Sequence, residues 1–174
     1  MLDNLNVKLF ADGADLEAIR VLAKNHLIKG FTTNPTLMRS AGVTSYELFA
    51  KQLLEVIPHL PISFEVFADD LDEMIHQAET LSSWGENVYV KIPITNTQKQ
   101  FTGPAITELC QRGIKLNVTA VMTLNQVESL TSCMDKSTSG IISIFAGRIA
   151  DTGVDPCHIM AEAKSIMSLS LIHI

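Results

Sequence analysis

The 174-residue sequence predicts an α/β fold, a (β/α)8 TIM-type barrel of which about six βα units are present. Two observations predict it. Segments of strand composition alternate with amphipathic, helix-compatible segments, the order that builds a parallel sheet. Polar residues also recur on the strands at one parity while the alternate positions stay apolar. That pattern suits a curled sheet with helices outside and a shared interior, and argues against an open doubly wound sheet packed under helices on both faces.

The elements follow in order. Val7 to Asp12 reads as the first strand, followed by a helix from about Asp15 to Asn25 with Leu16, Ile19, Val21 and Leu22 on its apolar side. Gly30 to Thr33 is the second strand; Asn34-Pro35 then has the form of an N-cap followed by proline at the first helical position. A helix from Ser45 to Val56 carries Leu48, Phe49 and Leu53, and Pro61 opens a third strand, Ile62 to Phe67. The acids Asp69, Asp70, Asp72 and Glu73 mark the start of the next helix, where the helix dipole favours them. Asn87 to Pro93 is the fourth strand, Gly103 to Arg112 a helix, Ile114 to Val121 the fifth strand and Gly140 to Ala146 the sixth. A last helix runs from about Asp155 to Met167.

Alternation places Asp12, Glu65, Lys91, Asn117, Thr119 and Ser143 on one face, against Leu9, Ala11, Phe64, Val66, Val90, Ile92, Leu116, Val118, Ile142 and Ile144 on the other. Most of the polar set falls near the C-terminal ends of its strands, the rim on which barrels of this kind assemble their sites. One pocket is therefore expected, holding a lysine, carboxylates, asparagines and hydroxyls from separate repeats.

Composition narrows the function. Hydrophobic residues make up 47% and charged residues 18%, with a net charge of −6, so the chain has material for a core and no basic stripe for nucleic acid. No stretch approaches the length of a membrane span and the N-terminus has no signal-peptide pattern, so a cytoplasmic protein is expected. Cys110, Cys133 and Cys157 are widely spaced and read as reduced thiols. The five histidines have no metal-ligand spacing, and no Gly-rich dinucleotide loop follows the first strand; neither a metal nor a cofactor is implied.

A lysine among apolar neighbours, with carboxylates nearby, suits covalent carbonyl chemistry. Withdrawing an ammonium from water disfavours its charge, and the neutral amine can attack a ketone or aldehyde to form a Schiff base. The iminium accepts electrons when the neighbouring carbon–carbon bond breaks, once a positioned Asp or Glu removes a hydroxyl proton. Each residue alone also has a plainer reading: Lys91 as a solvated edge lysine, Asp12 or Asn34 as a turn or helix cap, and Arg148 as a surface partner of Asp151 or Asp155. Glu65, between Phe64 and Val66, needs a partner or an aqueous cavity in either case. Their common parity favours the functional reading.

Thr32-Thr33-Asn34-Pro35-Thr36, Val90-Lys91-Ile92-Pro93, Asn117-Val118-Thr119 and Ser143-Ile144-Phe145-Ala146-Gly147-Arg148-Ile149, in that order, resemble the transaldolase family of class I aldolases over about Leu9 to Ile166. The resemblance implies that Lys91 forms a Schiff base with a ketose phosphate and that Asp12 is the acid/base of carbon–carbon cleavage. It implies that Glu65 and Thr119 hold a catalytic water, and that Thr33, Asn34, Asn117, Ser143 and Phe145 contact the dihydroxyacetone unit or line its site. Arg148 would take the sugar's phosphate, which a guanidinium fork suits.

The reaction so implied transfers dihydroxyacetone from sedoheptulose 7-phosphate or fructose 6-phosphate to an aldose phosphate, in the pentose phosphate pathway. The partners implied are sugar phosphates and a possible homo-oligomer, with no nucleic acid and no membrane. The alternative is a fructose-6-phosphate aldolase-like enzyme that releases free dihydroxyacetone. Transaldolases resemble this chain in having glutamate at the position of Glu65 and phenylalanine at that of Phe145, where the aldolases have glutamine and tyrosine. A third reading is a non-catalytic or unstable partial sugar-phosphate-binding domain.

The chain departs from the family at its end. A closed barrel needs eight strands, and only six can be placed. Leu169 to Ile174 does not resemble the family and matches one reading frame of a common sequencing-library transposon end. Residues 1–168 are therefore expected to be a partial barrel and 169–174 a non-native tail.

Overall fold

A computed structural model describes residues 7–135 and 137–170, with side chains as far as 168. The tail expected at 169–174 thus lies outside the described side chains. Among the described residues the order is β1 (Leu9–Asp12), α1 (Leu16–Leu22), β2 (Ile28–Thr32), α2 (Pro35–Ser40), α3 (Tyr46–Val56), β3 (Ile62–Glu65), α4 (Leu71–Ser82) and β4 (Val88–Pro93). There follow α5 (Gly103–Gln111), β5 (Leu116–Val121), α6 (Leu124–Thr131), β6 (Gly140–Ile144), α7 (Ala146–Asp151) and α8 (Pro156–Ser170).

The six strands are parallel and lie in the order β1-β2-β3-β4-β5-β6, each beside its neighbour in sequence. The sheet curls into a half-barrel with helices outside, the expected partial (β/α)8 architecture. Curl is visible in one contact: Asn117 on β5 reaches Ser63 on β3 across the intervening β4, at 2.9 Å. On a flat sheet those two strands would stand about 9.6 Å apart.

Local chemistry sets the helix starts. Asp15, Asn34, Ser45, Asp70 and Thr123 each accept a hydrogen bond from a backbone N–H of the first turn, and Pro35 opens α2. Each such cap stabilises its helix by about 1 kcal/mol. Thr123 and Gln126 form a reciprocal capping box. Of the acids between 69 and 73, Asp70 is the cap, and Asp69 instead binds Thr97 through both carboxylate oxygens, at 2.7 and 2.6 Å.

The outward strand residues form the core. Phe64, Val90, Ile92, Leu116 and Val118 are fully buried, packed in one cluster with Leu53, Met74, Ala78, Ile106, Leu109 and Leu130 from the helices. Two helix faces differ from expectation. Ile19 and Phe49 are buried, but Val21, Leu22 and Leu48 are exposed. Successive positions on a helix turn by about 100°, so Val21 stands about 200° from Ile19 and cannot share its face. Strand β3 ends at Glu65, short of Phe67, because the Phe67 and Ala68 N–H groups donate to the side-chain oxygen of Gln77 on α4.

Strand β5 carries one irregularity. Its register with β6 shifts between Val118 and Val121, and Ala120 has φ +60°, in the left-handed region. The extra residue is a β-bulge, and it lets Val118 and Val121 both be buried in the core.

Candidate active site

Strand pairing brings the inward side chains together. Glu65 pairs in register with Lys91, Lys91 with Asn117, Pro93 with Thr119, and Asp12 with Thr32. Lys91 Nζ lies 3.3 Å from Glu65 Oε2, with the two side chains only 12% and 21% exposed. A carboxylate and an ammonium so enclosed compensate each other's loss of water. The reading of Lys91 as a solvated edge lysine does not survive this placement: β4 lies between β3 and β5.

Beside the pair runs a chain of hydrogen bonds. Ser143 Oγ on β6 donates to Asn117 Oδ1 at 2.7 Å, and Asn117 Nδ2 donates to Ser63 Oγ on β3 at 2.9 Å. Asn117 and Ser63 are each about 1% exposed. Thr119, one pleat further along β5, is buried with a hydroxyl that has no partner among the described residues. An orphan hydroxyl of that kind suits an ordered water or a substrate oxygen.

At the other side of the half-barrel, Asp12 Oδ1 accepts the hydroxyl of Thr32 at 2.8 Å. Asp15, not Asp12, caps α1. Thr33 is fully buried and its hydroxyl is unpartnered among the described residues. Asn34 caps α2 through Oδ1, 2.9 Å from the Leu37 N–H, so the plainer reading of this residue holds in the structure, and its amide nitrogen is not used by the cap.

Phe145 and Arg148 lie beyond β6. With Ile144, Ala146, Gly147 and Asp151 they line a shallow depression of about 490 Å³. Arg148 is largely exposed and lies 3.7 Å from Asp151, the surface partner considered for it above; such an exposed pair contributes little stability and leaves the guanidinium accessible.

Three site contacts escape a reading by residue type. Ser63 and Thr32 are uncharged residues; Ser63 shares the parity of Glu65 on its own strand, which is the signal that finds it, whereas Thr32 is placed beside Asp12 by the β1–β2 register. Tyr46, at the start of α3, donates its hydroxyl to the carbonyl oxygen of Glu65 at 3.0 Å. Its ring meets Phe64, Phe67 and Trp84 edge to face, with centroids 5.8, 5.1 and 5.4 Å away. Burial pushes the Tyr46 phenol well above its ordinary range. A bond to a main-chain acceptor has no sequence signature.

A low-exposure lysine facing a carboxylate, with an asparagine, hydroxyls and a second carboxylate on the same sheet face, can bind and covalently activate a polyhydroxy carbonyl compound. Comparison with known proteins points the same way. The family model for transaldolase/fructose-6-phosphate aldolase matches residues 9–172. A "probable transaldolase" of Streptococcus equi subsp. zooepidemicus is 36% identical over 163 residues, covering 94% of this chain and 72% of its own length. One from Streptococcus pyogenes is 32% identical over 163 residues, covering 94% and 72%, and one from Dehalococcoides mccartyi is 31% identical over 160 residues, covering 92% and 70%. The chain belongs to the transaldolase/fructose-6-phosphate aldolase family.

Proposed function

We propose that this chain carries the Schiff-base machinery of a transaldolase, moving a dihydroxyacetone unit from a ketose phosphate to an aldose phosphate. The observation that carries the reading is the Lys91–Glu65 pair, 3.3 Å apart and mostly shielded from solvent, on the face shared with Asn117 and Ser143. Before attack the ammonium must lose a proton, and the Glu65 carboxylate, 3.3 Å away, is placed to take it. The neutral amine then bonds to the ketone carbon. Loss of water from the carbinolamine gives the iminium, with Thr119 and Glu65 holding the water that carries protons in and out.

Asp12 next takes the proton of the substrate hydroxyl. The adjacent carbon–carbon bond breaks, its electron pair passes to the iminium nitrogen, and an aldose phosphate leaves. The enamine remains on Lys91 until an acceptor aldehyde takes up the three-carbon unit and water frees the amine. Asn34, Asn117 and Ser143 hydrogen-bond the dihydroxyacetone unit, and Arg148 binds the phosphate. The names of the relatives support a transferase, as does Phe145, which has no hydroxyl to donate to the intermediate.

The test is borohydride trapping with fructose 6-phosphate and peptide mass spectrometry. A reduced adduct on Lys91 is expected; an adduct elsewhere, or none, rejects the reading. Free dihydroxyacetone accumulating without an acceptor would assign the chain to the aldolase branch instead.

A further inference from the structure

Asn117 is held in an unusual way for a residue that is to meet a substrate. Its carboxamide is contacted at both ends by hydroxyls from two other strands: Ser143 of β6 at Oδ1, 2.7 Å, and Ser63 of β3 at Nδ2, 2.9 Å. The terminal torsion of an asparagine is otherwise soft, with broad wells. Two partners on opposite sides fix the amide plane. Each end keeps one further position for a ligand, since the oxygen has a second lone pair and the nitrogen a second hydrogen.

Ser63 brings a hydroxyl into the sheet interior. It sits at about 1% exposure between Ile62 and Phe64, which are fully buried, and its hydroxyl must be partnered to offset its loss of water. That partner is two strands away, on the register neighbour of Lys91.

We propose that Ser63 is a positioning residue for the reaction: with Ser143 it clamps the Asn117 carboxamide in one plane beside Lys91, so that Asn117 meets the substrate already oriented. This rests on the Schiff-base reading above for its consequence in catalysis, while the clamp itself is independent of it. Ser63 touches no reacting atom and acts only through Asn117.

The experiment compares the wild-type chain with Ser63→Ala and with Ser63→Cys, whose sulfur keeps a weak acceptor of similar size for the Asn117 amide. The first readout needs no substrate. Side-chain amide resonances of Asn117, assigned by their loss in Asn117→Ala, are expected to shift and to exchange with solvent about 3- to 10-fold faster in Ser63→Ala, the range one neutral hydrogen bond supports. Ser63→Cys should fall between. The Asn87 amide, which donates to the carbonyls of Ile57 and Leu60, serves as the internal control and should not change.

The second readout is the fructose 6-phosphate dependence of borohydride trapping. The half-saturating concentration is expected to rise about 3- to 10-fold in Ser63→Ala with little change in the limiting rate, and Ser63→Ala should add nothing in an Asn117→Ala background. An unchanged Asn117 amide, or an effect that multiplies fully with Asn117→Ala, would overturn the proposal. Wild-type chain that traps no sugar would reject the Schiff-base reading, and the amide readout would still decide the clamp.

Discussion

Glu65 and Lys91 are register partners on adjacent strands, and their side chains meet at 3.3 Å. Parallel pairing at this point does two things at once: it sets the acid beside the amine without any loop, and it ties the end of β3 to β4, where the Val66 N–H donates to the Lys91 carbonyl at 3.1 Å. The backbone positions from which the pair projects are therefore as fixed as the sheet. Sites on strands hold their groups more closely than sites on mobile loops.

Glu65→Gln keeps the shape and removes the proton acceptor. Borohydride trapping at Lys91 should slow by about 10²-fold, at the lower end of what a positioned acid or base contributes. Urea unfolding of the same variant checks that the fold persists.

Tyr46→Phe keeps the ring among Phe64, Phe67 and Trp84 and deletes only the hydroxyl that serves the Glu65 carbonyl. A loss of about 0.5–1.5 kcal/mol is expected in urea unfolding. Spectrophotometric titration adds a second check. Because burial raises its pKa, Tyr46 contributes stability that is fully present below the ordinary tyrosine range and is lost as pH rises through the raised value. Its phenolate signal should therefore appear only far into the alkaline range or together with unfolding.

Asp69 is half-buried, and hydrogen bonds from the Thr97 hydroxyl and backbone N–H hold its carboxyl below the usual carboxylate range. A depressed folded-state pKa gives stability that is present above the ordinary carboxylate range and is lost as pH falls through the lowered value. Asp69→Ala should thus be less stable than wild type at neutral pH, and the difference should shrink as the solution is acidified into that window. Urea midpoints measured across an acid series read it directly.

Ala120 occupies the left-handed region at the β5 bulge. An L-residue there carries a backbone penalty of about 1 kcal/mol that glycine escapes, less the entropy glycine gives up on folding. Ala120→Gly should leave stability unchanged or raise it by a few tenths of a kcal/mol, whereas a β-branched Ala120→Val should lower it by more than about 1 kcal/mol. Thermal or urea unfolding of the two variants is the measurement, and a stabilised Ala120→Val would contradict the assignment of the bulge.

The shared interior was legible because a strand's two-residue period is strict. Asp12, Glu65, Lys91, Asn117 and Ser143 could be placed on one face by counting, and the side-chain contacts between strands lie on that face. The same counting finds Ser63, two residues before Glu65, which reading for ionisable groups passes over; Thr32 is set beside Asp12 by strand register. Helix faces were less legible: α1 has 7 residues, too few for an apolar stripe to define itself, and Val21 and Leu22 entered the expected face on hydrophobicity alone. The bulge at Ala120 and the bond from Tyr46 to the Glu65 carbonyl depend on backbone geometry, which no residue type in β5 or α3 announces.

Strand order in space repeats strand order in the chain. Among the described residues each βα unit therefore docks onto the one made just before it. Pairing between consecutive units lets a nascent chain add each unit as it emerges. Chemistry, however, arrives late: Lys91 gains its acid as soon as β4 joins β3, but the amide of Asn117 is pinned only when β6 has delivered Ser143.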